Sequence, residues 1–207
     1  METEPGTKVV VMGGGSSYTP EIVEGLIAHA DELDLRQVCL VDIPAGEEKL
    51  AIVGKLAQRM VEKAGGRFAI KLTLDRREAL SDADFVVTQI RVGGIQARIK
   101  DERIPLRHGV VGQETTGPGG FAKALRTVPA VLGICRDMAE LCPQAWLINF
   151  TNPSGIVTEA VARHTPARVI GLCNIPINTE RSLAKEYGVT PDEMCIEFVG
   201  CNHSVWL

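Results

Sequence analysis

Four short stretches of this sequence gather side chains whose chemistry suits a divalent cation, hydroxyls or a phosphate. They are Gln89-Ile90-Arg91-Val92-Gly93-Gly94, Asn149-Phe150-Thr151-Asn152-Pro153-Ser154, Cys173-Asn174-Ile175-Pro176 and Gly200-Cys201-Asn202-His203. A thiolate from Cys173 and an imidazole from His203 are a donor pair for a divalent cation. Two protein ligands are too few for a closed structural zinc site, and they leave coordination positions for water or substrate oxygens, as a catalytic metal requires. The bare residues equally allow a buried thiol with an unrelated surface histidine, and Cys201 with His203 is a competing pair. Arg91 and Asn152 have the chemistry to hold hydroxyls or a phosphate, although each alone also reads as a solvated charge or a turn-capping amide. Glu114 sits in the glycine-rich stretch Val111 to Phe121, as part of a lid or cleft wall or as a solvated loop carboxylate. His29, His108 and His164 have no partner residues nearby and read as surface or capping groups.

A second kind of site opens the chain. The apolar run Lys8-Val9-Val10-Val11-Met12 ends in Gly13-Gly14-Gly15-Ser16-Ser17, and a helix follows. Glycines between a strand and a helix let the backbone approach a pyrophosphate, whose charge then faces the helix amides. The next strand, Val38-Cys39-Leu40-Val41, ends on Asp42, placed to accept from a ribose 2′-hydroxyl. Ile43 and Pro44 follow with no arginine for a 2′-phosphate, which favours NAD over NADP. The match to the dinucleotide fingerprint is partial, because Tyr18 stands where the third glycine belongs.

Strands alternating with helices must position these groups. Strands are expected at 8–12, 38–42, 70–74, 84–90, 145–150, 168–173 and 195–200. Helices are expected from Thr19, as cap, to about Asp31, and over 45–64, 95–104, 154–163 and 177–187. A further helix is expected to start at a Thr127 cap, with Pro129 in its first turn, and to run to about Leu141. Continuous apolar strands with intervening helices predict a doubly wound α/β fold with a parallel sheet. In such sheets ligands lie outside the carboxyl ends of the strands, so the four polar stretches should line one cleft.

The totals agree with a globular protein carrying a real core. Of 207 residues, 45% are hydrophobic and 23% charged, and the net charge of −4 leaves no basic stripe for nucleic acid or an anionic membrane. No apolar stretch reaches the length of a membrane span, and the acidic start Met1-Glu2-Thr3-Glu4 is unlike a secretory signal. The six cysteines form no CxxC, which fits reduced thiols in a cytoplasmic protein. The strand before Trp206-Leu207 has no cap or polar tail after it, so a truncated chain is expected.

Taken together, Gly13-Gly14-Gly15-Ser16, Gln89 to Gly94, Gly112-Gln113-Glu114-Thr115-Thr116-Gly117, Asn149 to Pro153, Cys173 to Pro176 and Asn202-His203 resemble glycoside hydrolase family 4. The resemblance spans essentially the whole chain. It implies a glycosidase that depends on NAD and a divalent metal, usually manganese, and that acts on a phosphorylated disaccharide or glucoside. It places Gly13, Gly14, Gly15, Ser16, Ser17 and Asp42 at the cofactor, Cys173 and His203 on the metal, and Arg91 and Asn152 on the substrate. Glu114 falls on the acid that tunes the catalytic base, and Asn174 on a substrate contact. An asparagine rather than an aspartate after the metal cysteine resembles the members that act on 6-phospho-β-glucosides. The implied reaction oxidises C3 of the sugar, deprotonates C2, eliminates the aglycone and adds water, with the cofactor recycled. The base is a tyrosine that neither Tyr18 nor Tyr187 matches, so it is expected beyond Leu207. Residues 1–170 then form a dinucleotide-binding Rossmann-like domain, and residues 171–207 begin an α+β domain for metal and substrate. Homo-oligomers are usual in the family. Two other readings fit the residues alone: a metal-independent 2-hydroxy acid dehydrogenase, and a non-catalytic NAD-binding sensor.

Overall fold

In the computed structural model, which describes residues 5–201 and 203–207, six strands form one parallel sheet. They are β1 (Thr7–Met12), β2 (Leu35–Val41), β3 (Ala69–Thr73), β4 (Phe85–Thr88), β5 (Trp146–Asn149) and β6 (Arg168–Gly171). Their order across the sheet is β3-β2-β1-β4-β5-β6, and every neighbouring pair is parallel. Helices α1 (Thr19–Ala28), α2 (Glu47–Lys63), α3 (Arg76–Leu80), α4 (Gly94–Leu106), α5 (Gly117–Leu141), α6 (Ser154–His164) and α7 (Asn174–Tyr187) connect or follow them. This is the doubly wound Rossmann arrangement, with the order reversing between β1 and β4. Among the described residues no helix is long and apolar enough to cross a membrane.

Alternation along the strands explains why both faces are covered. In β1, Val10 and Met12 point into a cluster with Cys39, Val86, Leu147, Val131 and Met138. Val9 and Val11 point the opposite way, into a cluster with Val23, Leu40, Leu50 and Ala57. Each such aliphatic side chain stabilises the fold by about 1.5–3 kcal/mol relative to leaving it in water. Burial pushes the thiols of Cys135 and Cys142 up to about 11, so these two are packing groups and not nucleophiles.

Four local expectations are corrected. Helix α1 ends at Ala28, short of Asp31, and Thr19 does not cap it. The N-cap is Tyr18, while the buried Thr19 hydroxyl donates to the Gly14 carbonyl at 2.9 Å. Helix α5 starts at Gly117, ten residues ahead of Thr127, so Thr127 and Pro129 both lie inside it. The same start signal, Thr-x-Pro, occurs at Thr116-Gly117-Pro118, and a buried stripe of Gly119, Gly120, Lys123, Ala124 and Thr127 makes the first turns helical by packing. Helix α3 was not expected; Asp75 caps it, accepting from the amides of Arg77 at 2.9 Å and Glu78 at 3.1 Å. The last strand is not 195–200 but a hairpin of β7 (Val199–Cys201) and β8 (Ser204–Trp206), with His203 in the turn between them. Asn202, the other half of the Asn202-His203 motif, and Met1 to Glu4 lie outside the described residues.

Helix α3 is fixed to α5 by charge. Asp137 accepts from Arg76 Nε and from Arg77 Nη1, each at 2.7 Å. Burial alone would raise the Asp137 carboxyl, yet Arg76 and Arg77 hold it below the ordinary aspartate value. A carboxyl depressed in the folded state contributes stability above its unfolded pKa of about 3.9, and that contribution disappears as pH falls through the lower, folded value. Asp137→Asn should therefore lower thermal stability at pH 7 by about 1 kcal/mol, a few degrees in Tm for a chain of this size. Paired melting curves should show the gap closing as pH falls below the ordinary aspartate value.

Candidate functional site

The strand order itself locates the site, because the connections leaving β1 and β4 run to opposite sides and open a crevice at their carboxyl ends. The glycine turn occupies one wall. The amides of Gly13 and Gly14 both donate to the Val41 carbonyl, at 2.9 and 2.8 Å, so the turn lies flat against β2. Gly13 takes a φ of +87°, and a Cβ on Gly14 would come within 2.7 Å of Leu40 Cβ and 2.9 Å of the Val41 nitrogen. Only glycine fits there, and the absent side chains leave the backbone open to a ligand. Asp42 closes this wall. Its Oδ2 accepts from the Gly15 amide at 2.9 Å and its Oδ1 from the Ile43 amide at 2.9 Å. A carboxylate has about four acceptor positions, so Asp42 retains capacity for a sugar hydroxyl. Ser16 Oγ accepts from the Tyr18 amide at 3.2 Å, and Ser17 is exposed.

Gln89 and Thr19 lock the turn to β4. Gln89 Nε2 donates to the Gly13 carbonyl at 3.2 Å and to Thr19 Oγ1 at 2.7 Å. Its Oε1 is buried without a partner among the described residues. A glycine turn that excludes side chains, a carboxylate at the end of β2 and an unfilled acceptor beside them suit a dinucleotide.

The mouths of β4, β5 and β6 are laced together by Asn149, which is fully buried. Its Oδ1 accepts from Thr88 Oγ1 at 2.9 Å and from the Thr151 amide at 3.2 Å, and its Nδ2 donates to Thr158 Oγ1 at 3.1 Å. Thr151 Oγ1 in turn accepts from the Ile90 amide at 3.0 Å, and Ser154 Oγ donates to the Leu172 carbonyl at 3.0 Å. Asn149 is thus a framework residue. Asn152, next to a cis peptide bond at Pro153, is half-buried, and no hydrogen bond of its side chain is formed among the described residues. Asn174, the exposed first residue of α7, is likewise uncommitted.

Cys173 stands at the N-cap of α7 in extended backbone, and its Sγ lies 3.7 Å from Nε2 of His203. Residues thirty positions apart have met at one strand mouth. Bond lengths of about 2.3 Å to a thiolate and about 2.1 Å to an imidazole together exceed that gap, so one cation reaches both atoms. Positive φ in a residue other than glycine is strained, and His203 holds a φ of 66°. No third His, Cys, Asp or Glu joins the pair among the described residues.

Glu114 is far from a solvated loop acid. Its carboxylate bonds the guanidinium of Arg91 and the ammonium of Lys123 through Oε1, and Arg98 Nη1 lies 3.1 Å from Oε2. Burial opposes its charge, but Lys123, Arg91 and Arg98 together hold the carboxyl below its ordinary value. The glycines around it serve packing: a Cβ on Gly119 would sit 2.2 Å from the Gln113 carbonyl and 2.7 Å from that of Asp101. Lys123 carries no signal of its own in the sequence: with the helix expected only from Thr127, a lone lysine ahead of it reads as a solvated charge.

Three comparisons bear on this arrangement. A Bacillus subtilis protein named "Probable 6-phospho-beta-glucosidase" is 61% identical over 202 residues, covering 97% of this chain and 46% of that protein. A 6-phospho-β-glucosidase of Escherichia coli is 53% identical over 202 residues, covering 97% of this chain and 45% of that enzyme. The solved 6-phospho-β-glucosidase of Thermotoga maritima with manganese, NAD+ and glucose-6-phosphate superposes with a TM-score of 0.89 at 39% identity, over 96% of this chain and 48% of that one. The chain spans about half the length of the curated relatives it matches. The family model described as family 4 glycosyl hydrolase matches residues 8–189, from β1 to just past α7, and the chain belongs to that family.

Proposed function

We propose that the protein hydrolyses 6-phospho-β-glucosides with the help of NAD and a divalent cation, manganese by analogy with the T. maritima relative. The observation that carries this reading is the 3.7 Å approach of Cys173 Sγ to His203 Nε2 at the mouth of a dinucleotide-type sheet. A dehydrogenase acting without metal has no use for that pair.

In this reading residues 1–170 seat the dinucleotide and residues 171–207 begin the part that holds cation and sugar. Gly13, Gly14, Gly15, Ser16 and Ser17 present backbone and hydroxyls to the pyrophosphate, and Asp42 accepts from the adenosine ribose. Cys173 and His203 hold the cation and leave its remaining positions to substrate oxygens. Arg91, Asn152 and Asn174 contact the phosphorylated sugar; the last two are the uncommitted amides of the strand mouths. When bound, the cofactor removes and returns hydride at C3 while the cation makes the C2 proton acidic. The residues of this chain orient the sugar for loss of that proton, departure of the aglycone and addition of water. Glu114, ionised among its cations, sets the field around the catalytic base. Asn174 cannot supply a proton as an acid does, in keeping with the β-glucosidase names of the two relatives above 50% identity.

Full-length protein should turn over a 6-phospho-β-glucoside only with NAD and manganese, lose activity to EDTA and recover it with manganese. In D2O the product should carry deuterium at C2, and product without it would rule out elimination. Cys173→Ser should weaken Mn2+ binding at least about tenfold, read by electron paramagnetic resonance, with an unchanged circular dichroism spectrum. Asp42→Ala should raise the NAD dissociation constant about tenfold by calorimetry, the equivalent of one hydrogen bond to a charged group.

A further inference from the structure

Lys123 is a buried cation to which the reading above gives no contact with substrate, cofactor or metal. Its side chain is 3% exposed, on the second turn of α5, among Gly119, Gly120, Ala124 and Thr127. A methionine or leucine would fill that volume without desolvating a charge. The ammonium bonds Glu114 Oε1, the same oxygen that takes the guanidinium of Arg91, while Arg98 holds Oε2 from the outer side at 3.1 Å. Exposure rises along this relay: 3% at Lys123, 12% at Glu114 and 36% at Arg91. One end is fixed inside a long packed helix, and the other emerges where β4 ends. Arg98 is no substitute anchor, since its Nε is engaged with Glu102 at 2.7 Å and its side chain is 38% exposed.

We infer that Lys123 is a positioning residue: by fixing one oxygen of Glu114 it holds the guanidinium of Arg91 over the strand mouths, ready for substrate. Without Lys123, the carboxylate swings toward Arg98 and water, and Arg91 must be ordered anew each time substrate binds. Burial depresses the Lys123 ammonium and its pairing with Glu114 works against that loss, so each of the two charges depends on the other. The inference rests on the functional reading above, in which Arg91 contacts the phosphorylated sugar.

The test is a double-mutant cycle in the full-length protein, read as the dissociation constant of glucose 6-phosphate by calorimetry with NAD and manganese present. Lys123→Met should weaken binding about tenfold, as should Arg91→Met, and the double variant should be no more than about twofold worse than Arg91→Met. In turnover of a 6-phospho-β-glucoside, Lys123→Met should raise KM more than it lowers kcat. Because Lys123→Met also leaves Glu114 with one partner fewer, the cycle is repeated with Lys123→Gln, whose amide still donates to the carboxylate but carries no charge. Affinity equal to the parent in both variants, or losses that multiply in the double variant, would overturn the inference while leaving the functional reading intact. A parent protein that binds no glucose 6-phosphate would overturn that reading and this inference with it.

Discussion

A parallel sheet buried on both faces leaves its backbone only one place to meet a ligand, the ends of its strands. That constraint organises this protein. The carboxyl ends of the strands carry nearly all the chemistry: Gly13 after β1, Asp42 after β2, Gln89 and Arg91 after β4, Asn149 at the end of β5 with Thr151 to Ser154 behind it, and Cys173 after β6. Polar side chains are tolerated behind β4 and β5 because Thr88, Asn149 and Thr151 bond one another. Asn149 alone ties the ends of β4 and β5 to α6, so the rim is rigid before any ligand arrives. Asn152 and Asn174, on the same rim, make no side-chain hydrogen bond among the described residues.

Two electrostatic designs sit side by side on the rim. The glycine wall presents amides, a turn without side chains and one carboxylate. The wall made by α4 and α5 is strongly cationic, with Arg91, Arg98 and Lys123 gathered on Glu114 and, next to it, Arg126 clamped on the buried Asp101 at 2.5 and 2.9 Å. Backbone and dipole suit a pyrophosphate shared by many cofactors, whereas fixed cations suit a specific charged substrate. The division fits the proposed reading, in which cofactor and substrate are distinct molecules meeting at one cleft.

Much of the fold was legible because it is local. The run Lys8 to Met12, the three glycines and Asp42 each declare themselves within a few residues, and the structure puts them where a βαβ unit requires. The errors came where two local signals competed. Thr127 and Pro129 imitate a helix start, and Thr116 with Pro118 is the start that packing selects. Five-residue α3 is too short for periodicity to reveal, and it persists because Asp75 caps it and Asp137 anchors it.

The sequence by itself determined the six strands of the sheet and the main helices between them, the glycine turn and which residue types meet the strand mouths, since those follow from hydrophobic period and backbone sterics over short spans. Only the tertiary structure decided that Cys173 and His203 stand 3.7 Å apart, and that Glu114 and Lys123 form a buried pair behind Arg91. Those facts depend on a hairpin folding back to α7 and on a loop packed beneath α4, contacts between segments distant in the chain. No property of an isolated lysine or histidine distinguishes a solvated position from a buried one; burial is conferred by what the rest of the chain lays over it.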